Sequence, residues 1–213
     1  MFPIGDDNSQ RRTVPVVTWA LVVINVIVFL LELAGGEGFI LQWSFNPARF
    51  IQDPIGNMVT LLTSMFMHAG WLHLAGNMLY LLIFGDNVED LFGHFKFLTF
   101  YLLCGFVAMT AQFIAAPFVN LPNLGASGAI AGVLGAYLVL FPQRRVRVLL
   151  SFFVVRMPAV IVIGAWIVIQ VISGFGTLHS SGGAAGGVAY MAHIGGFIAG
   201  LVLSFFFRRR RQA

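Results

Sequence analysis

The chain has 213 residues, of which 59% are apolar and only 9% are charged, and its mean hydropathy is +0.90. A soluble domain usually carries about 25% charged residues, so this composition excludes a soluble globule, a disordered chain and a fibrous repeat. What remains is a polytopic membrane protein. The net charge of +4 does not indicate nucleic-acid binding, because the basic residues flank long apolar runs.

Apolar runs long enough to cross a bilayer recur along the chain. A hydrocarbon core about 30 Å thick requires roughly 20 residues of helix. Six runs are predicted to span the membrane: 16–34, 71–88, 96–118, 127–142, 158–175 and 187–207. The predicted fold class is therefore an all-α polytopic membrane protein. We expect tails at 1–15 and 208–213 on either side of a membrane domain at 16–207.

The first two apolar runs each have a distinctive feature. The first is too long for the apolar region of a signal peptide, which predicts a retained span. Residues 58–85 are almost continuously apolar, but His68-Ala69-Gly70 interrupts them. This predicts an interfacial segment ending near Met67 and a span beginning near Trp71. The preceding connection, 36–57, is rich in aromatic residues and suits the membrane interface.

The basic residues predict the orientation of the bundle. With six spans, both tails lie on one side, together with the connections at 86–95 and 143–157. Eleven of the twelve basic residues then lie on that side, and only Arg49 lies opposite. By the positive-inside rule, this pattern predicts that both tails are cytoplasmic.

The second span carries a pair of polar side chains. His73 and Asn77 are four residues apart, so they share one helix face, near the outer end of the span. Both can donate a hydrogen bond without carrying charge. Polar groups inside spans are costly and commonly mark function. The alternative is a structural pair that joins two helices.

Ser127 begins an unusually short run, in the sequence Gly125-Ala126-Ser127-Gly128. A helix from 127 to 141 rises only roughly 22 Å, less than the thickness of the bilayer core. Its N-terminus is therefore predicted to lie below the outer surface, where unpaired backbone N–H groups would stabilise an oxyanion. The alternative is a small-residue packing face at Gly128 and Gly132, with a serine that bonds back to its own helix.

His193 lies in the last run, beside a row of small residues formed by Ala192, Gly196 and Gly200. Two helices with small-residue faces can approach closely, so His193 could reach Ser127 and activate it as a general base. A lone histidine is more often structural. Its combination with Ser127 and the polar pair favours a catalytic interpretation.

The carboxylates predict which form of catalysis is available. No acidic residue follows Asp90, and Glu32, Glu37 and Asp53 are expected at loop or helix-end positions on the outer side. A Ser-His-Asp triad is therefore not expected, and the sequence predicts a Ser-His dyad.

Taken together, these residues resemble the rhomboid family of intramembrane serine proteases, over about 16–207. Three motifs carry the resemblance: H-x4-H-x3-N at His68, His73 and Asn77; G-x-S-G at Gly125, Ser127 and Gly128; and A-H-x-x-G at Ala192, His193 and Gly196. The resemblance implies a six-transmembrane-helix bundle of the simple prokaryotic form, with a long interfacial first loop. It also implies that water enters from the outer face and that the fifth span is a lateral gate for substrate.

The resemblance also implies roles for individual residues. Ser127 would be the nucleophile and His193 the general base, while His73, Asn77 and the backbone N–H of Ser127 would form the oxyanion hole. His68 would be a polar support, and the motif glycines Gly125, Gly128 and Gly196 would support the site. The implied activity is hydrolysis of peptide bonds in or near transmembrane segments of protein substrates in the lipid bilayer. No metal, cofactor or nucleic acid is expected.

Two positions depart from the family pattern. Val59-Thr60 stands where many members carry a Trp-Arg pair, which leaves the anchoring of the first loop open. Ala131 stands where some members place an aromatic residue against the histidine, and Tyr190 is a candidate to replace it. Two alternative functions are a catalytically inactive rhomboid-like binder of membrane proteins and a small transporter. The presence of both Ser127 and His193 disfavours the first, and the lack of an acidic residue in the middle of any predicted span disfavours the second.

Overall fold

A computed structural model describes residues 2–179 and 189–207. The predicted tail at 208–213 and the first residues of the predicted run at 187–207 lie outside the described residues. The helices are α1 (Val16–Trp43), α2 (Pro47–Gln52), α3 (Pro54–Asn57), α4 (Thr60–Thr63), α5 (Trp71–Tyr80), α6 (Asp86–Phe92), α7 (His94–Ala115), α8 (Ser127–Leu140), α9 (Ala159–His179) and α10 (Tyr190–Phe207). The strands are β1 (Phe2–Gly5), β2 (Arg145–Leu150) and β3 (Phe153–Pro158). A 3₁₀ turn, Ser64–Phe66, follows α4, and a π-helical segment, Leu81–Gly85, joins α5 to α6.

The predicted polytopic helical bundle is confirmed. Four helices in the described part, α1, α7, α9 and α10, are long and apolar enough to cross a membrane. Pro54–Phe66 and Trp71–Phe92 form a broken pair, bent by 75°, that passes the same test together. The bend falls at the predicted interruption around His68, and α5 begins at Trp71 as expected. The fourth predicted run, 127–142, contains the shorter apolar helix α8, which has 14 residues.

Helix α8 lies inside the bundle, with every residue from Gly128 to Tyr137 buried. Its backbone approaches that of α10 directly. A Cβ atom on Gly196 would overlap the carbonyl oxygen of Gly128, and one on Gly200 would overlap that of Gly132. These crossings therefore require glycine, because any side chain would push the two helices apart. The close approach predicted from the small-residue faces is present.

A small antiparallel sheet, with strand order β1-β2-β3, is the main departure from the all-helical expectation. β2 and β3 form a hairpin in which Arg147 is opposite Arg156, and Phe2 of β1 is opposite Leu149 of β2. In β2, Val146 and Val148 are buried while the alternate residues are exposed. The sequence predicts only a connection at 143–157, because this alternation is short and its partner β1 is distant in sequence.

The N-terminal segment, α6 and the residues after α8 meet at one end of the bundle. Arg11 forms a 2.6 Å ion pair with Asp86, and the side chain of Arg144 donates to the amide oxygen of Asn87. The hydroxyl of Tyr137 donates to Asp6 at 2.6 Å. These contacts agree with the prediction that the N-terminal tail shares one side with the connections at 86–95 and 143–157.

Glu89 holds the first turn of α1 at this same end. Its carboxylate is fully buried and accepts hydrogen bonds from the backbone N–H groups of Val17 and Thr18, at 2.9 and 2.7 Å. The hydroxyl of Thr18 donates to the same carboxylate, and the ring of His94 lies 2.6 Å from it. Helix N-termini leave unpaired N–H groups, and Glu89 satisfies two of them from another helix.

The first loop is more helical than predicted and is anchored by backbone pairing. α1 continues across a kink at Gly36, where φ is 60°, and ends only at Trp43. The backbones of Phe45 and Asn123 then exchange hydrogen bonds of 3.2 and 2.7 Å, and the amide of Asn46 donates to Asn120 at 2.9 Å. These bonds tie the loop to the segment before α8 in a chain that lacks the Trp-Arg pair.

Candidate active site

Five helices, α1, α5, α8, α9 and α10, contribute to a cavity of about 730 Å³ beside the N-terminus of α8. Ser127 from α8, His193 from α10, and His73 and Asn77 from α5 all line it, together with Trp166 from α9. The structure therefore brings together the four side chains that the sequence singles out, from positions up to 120 residues apart.

Ser127 and His193 are within hydrogen-bond distance. Oγ of Ser127 lies 2.7 Å from Nε2 of His193. Ser127 is the first residue of α8, and no side chain caps this helix end in the described part of the chain. The backbone N–H groups of the first turn are consequently available to a bound group, and the helix dipole favours negative charge there. A hydroxyl paired with an imidazole at such a position can act as a nucleophile with a general base.

The other ring nitrogen of His193 contacts a residue that the sequence does not single out. Nδ1 lies 2.8 Å from Oε1 of Gln170 on α9, and the indole of Trp166 packs 5.7 Å from the imidazole centroid. The aromatic contact with this imidazole, for which Tyr190 is the candidate from the sequence, is made by Trp166 in the described part of the chain. The sequence feature that could identify Gln170 is that it is a lone amide in an otherwise apolar run. It stands four residues after Trp166 and so lies on the same helix face.

His73 and Asn77 present hydrogen-bond donors to the cavity. Nδ1 of His73 accepts from the backbone N–H of Ala69 at 3.3 Å, which leaves the proton of the neutral ring on Nε2. A Cβ atom on Gly125 would lie 3.0 Å from this Nε2, and the positive φ of Gly125, 134°, also favours glycine. The buried amide nitrogen of Asn77 has no hydrogen-bond partner among the described residues. Such a donor is costly unless a ligand or water completes it.

His68 lies beside His73, and its backbone is hydrogen-bonded to the carboxylate of Glu32. Its backbone N–H donates to both carboxylate oxygens of Glu32 at 3.1 Å, and its ring meets that of His73 edge-on at 5.1 Å. The prediction that Glu32 occupies a loop or helix end is wrong. Glu32 lies within α1 and is only 3% exposed, because α1 continues beyond it to Trp43.

The predicted supporting glycines lie where backbone must approach closely. The backbone N–H of Gly125 donates to the carbonyl of Ser64 at 2.9 Å, which fixes the segment leading into α8. Gly128 and Gly196 meet at the crossing of α8 and α10, one residue after Ser127 and three after His193. Within the described residues, no group of three or more His, Cys, Asp or Glu side chains could hold a metal ion.

One family model and several known proteins match most of this chain. Residues 56–210 match the family model of the Rhomboid domain. The chain is 32% identical over 190 residues to Rhomboid protease GluP of Bacillus subtilis (strain 168), which covers 87% of this chain and 34% of that protein. It is 28% identical over 196 residues to Rhomboid protein 1, mitochondrial, of Saccharomyces cerevisiae, which covers 88% of this chain and 52% of that protein.

The lengths of these relatives differ from that of this chain. The chain spans about a third of the first relative and about half of the second. A further Bacillus subtilis relative, YdcA, is 26% identical over 214 residues, and that match covers 98% of both proteins.

Proposed function

Because the chain belongs to the rhomboid family, we propose that it is an intramembrane serine endopeptidase that hydrolyses peptide bonds in or near transmembrane segments of membrane proteins. The observation that carries the proposal is the 2.7 Å contact between Ser127 and His193 at an uncapped helix N-terminus that opens into a cavity. The chain is a multi-pass membrane protein, because several of its helices are long and apolar enough to cross a bilayer.

The reaction begins with Oγ of Ser127 attacking the carbonyl carbon of the scissile bond. Its proton passes to Nε2 of His193, which then delivers the proton to the departing amine. The result is an acyl-enzyme on Ser127. Water, deprotonated by the same imidazole, attacks the ester carbonyl. The imidazolium then returns its proton to Oγ of Ser127 as the new carboxyl terminus is released. No cofactor enters this scheme.

The tetrahedral intermediates carry a negative oxygen that needs hydrogen-bond donors. Nε2–H of His73, the amide of Asn77 and the backbone N–H of Ser127 supply them in this proposal. Support comes from the tautomer of His73 and from the lack of another partner for the Asn77 amide in the described part of the chain. Each donor of this kind is typically worth about 2.7–4 kcal/mol in the transition state.

The substrate must unwind locally before its backbone can reach Ser127. A helical segment has its carbonyls engaged in hydrogen bonds, so small and helix-weakening residues near the cut favour cleavage. The cavity of about 730 Å³ has room for a short extended segment and for water. Substrates are accordingly proteins with a transmembrane segment, presented within the bilayer.

The domain boundaries and the orientation also belong to this proposal. A membrane domain at 16–207 lies between a tail at 1–15 and a basic tail at 208–213. The domain spans a prokaryotic cytoplasmic membrane, and both tails lie on its cytoplasmic side. The positive-inside bias supports the orientation, and the clustering of Arg11 and Arg144 at one end of the bundle agrees with it.

The test uses the purified protein reconstituted in lipid vesicles. A single-span reporter with small residues in its transmembrane segment serves as substrate, and a fluorophosphonate probe reports the reactive serine. Wild type should cleave the reporter and take up the probe, whereas Ser127→Ala should do neither. The matched control is Ser204→Ala, because Ser204 is a buried serine of α10 whose hydroxyl bonds back to Leu201. Cleavage by Ser127→Ala, or a folded wild type that takes up no probe, would contradict the proposal.

A further inference from the structure

Both ring nitrogens of His193 have a side-chain partner. Nε2 lies 2.7 Å from Oγ of Ser127, and Nδ1 lies 2.8 Å from Oε1 of Gln170. Gln170 is itself buried, with 8% of its surface exposed. The imidazole is therefore held between the serine and an amide that the reaction scheme above does not use.

The amide determines which nitrogen of the imidazole carries the proton. A carbonyl oxygen only accepts hydrogen bonds, so Nδ1 must donate its N–H to Gln170. Nε2 is then unprotonated and can accept the proton of Ser127. In the opposite tautomer, Nδ1 and the amide oxygen would face each other with lone pairs, and Nε2 could not act as a base.

We propose that Gln170 is a positioning residue of the catalytic dyad, which holds His193 in the tautomer and orientation that direct Nε2 at Ser127. This inference rests on the proposed protease function. When the serine proton moves to Nε2, the imidazole becomes a cation and its bond to Gln170 becomes charge-assisted and stronger. The amide thus takes over part of the role of the carboxylate in a Ser-His-Asp triad.

The position of Gln170 makes the dyad depend on a third helix. Trp166, one turn earlier on α9, packs against the same imidazole. Side chains on other faces of α9 are exposed, as at Ile169 and Ile172. A displacement of α9 by about 1 Å would stretch the 2.8 Å bond beyond hydrogen-bond range. His193 is consequently oriented for catalysis only while α9 packs against α10 closely enough to keep the bond to Gln170.

The first experiment measures the rate of fluorophosphonate labelling as a function of pH. Gln170→Leu removes the acceptor at similar volume and should lower the rate about tenfold or more. It should also move the acid-side midpoint to lower pH, because the imidazolium loses its partner. Gln170→Glu should move the midpoint to higher pH, because a carboxylate stabilises the cation. The control is Ile169→Leu, on the exposed face of α9, which should behave as wild type.

His73 also lines the cavity and titrates, but it is unchanged in all three variants, so differences between their midpoints report on His193. If the labelling rates of the Gln170 variants fall while the acid-side midpoint does not move, Gln170 contributes only packing, and the proposal is overturned. Unchanged rates and midpoints in Gln170→Leu would overturn it as well.

A spectroscopic measurement does not depend on activity. In protein labelled with ¹⁵N-histidine, the signals missing from His193→Ala belong to His193. We expect a protonated Nδ1 in the neutral ring of wild type, and loss of this preference in Gln170→Leu. A neutral ring protonated at Nε2 in wild type would overturn the proposal even if the protease function stands. Conversely, a wild type that takes up no probe but carries the Nδ1 proton would refute the protease function alone.

Discussion

The crossing of α8 and α10 allows the geometry of the dyad to be tested with a single methyl group. In Gly196→Ala, the new Cβ would lie 3.0 Å from the carbonyl carbon of Gly128 and 3.3 Å from Cβ of Ala108, and it would overlap the Gly128 oxygen. The overlap with the oxygen requires the largest shift, because a non-bonded carbon and oxygen lie about 3.3 Å or more apart, so the helices must separate by more than about 1 Å. Carried to the neighbouring dyad, this lengthens the distance from Ser127 to His193 from 2.7 Å to about 3.7 Å or more.

Such a distance is at or beyond the limit of a hydrogen bond between a nucleophile and its base. We expect Gly196→Ala to lose about 100-fold in cleavage rate, which is typical of a 1 Å misplacement, and about 1–3 kcal/mol in stability from overpacking. The assay pairs the initial rate of reporter cleavage in vesicles with thermal unfolding in detergent. The two readouts separate a misplaced dyad from an unfolded protein.

Gly164→Ala is the matched control, since a Cβ at Gly164 on α9 would meet nothing within 4 Å. This variant should keep the wild-type rate and gain up to about 1 kcal/mol from helix propensity. A Gly196→Ala protein with the wild-type cleavage rate and the wild-type melting temperature would show that α8 and α10 accommodate the methyl group without separating. A variant that is destabilised but fully active would refute the link between the crossing and the dyad.

Three further predictions concern the oxyanion donors and the polar end of the bundle. Asn77→Ala should lower kcat about 10²–10³-fold with little change in KM, because the developing oxyanion loses one donor, and an unchanged kcat would remove Asn77 from the oxyanion hole. Glu89→Ala should lower the free energy of unfolding by about 1–3 kcal/mol by leaving the N–H groups of Val17 and Thr18 unpaired, with Glu89→Gln in between; equal melting of all three proteins would contradict this. Burial raises the pKa of Asp6 to about 6, so the folded protein binds more protons than the unfolded chain between about pH 4 and pH 6. Wild-type stability should therefore fall as pH rises through this window, whereas Asp6→Asn should weaken that dependence; identical unfolding profiles from pH 4 to pH 8 would contradict it.

The location of the site could be predicted because it rests on local signals. The short run that starts at Ser127 predicts a recessed helix end, since helix rise and bilayer thickness are fixed quantities. Small residues at Gly196 and Gly200 predict a close crossing, because only such faces allow backbones to approach. The spacing of His73 and Asn77 predicts a shared face. Each inference needs only one element and its periodicity.

The features that the sequence did not predict depend on pairs of distant elements. Gln170 stands out as a lone amide in an apolar run, but its contact with His193 follows only from the packing of α9 against α10. The sheet requires β1 to meet β2 from the other half of the chain. The sequence predicts the end of α1 near Gly36 and so places Glu32 at a helix end, whereas the structure has a kink there and not a helix terminus. Breaks in periodicity do not distinguish these two outcomes.

The sheet also bears on how the protein is made. β1 is synthesised before β2, and its partner β2 follows only after α8, so the helices α1 to α8 are made before the strands can pair. The edge of β1 stays open to other partners throughout that interval. Strand pairing is possible only if the N-terminus and the β2–β3 hairpin have reached the same side of the membrane. The sheet therefore forms late in folding, and a chain inserted with one span missing would leave β1 unpaired.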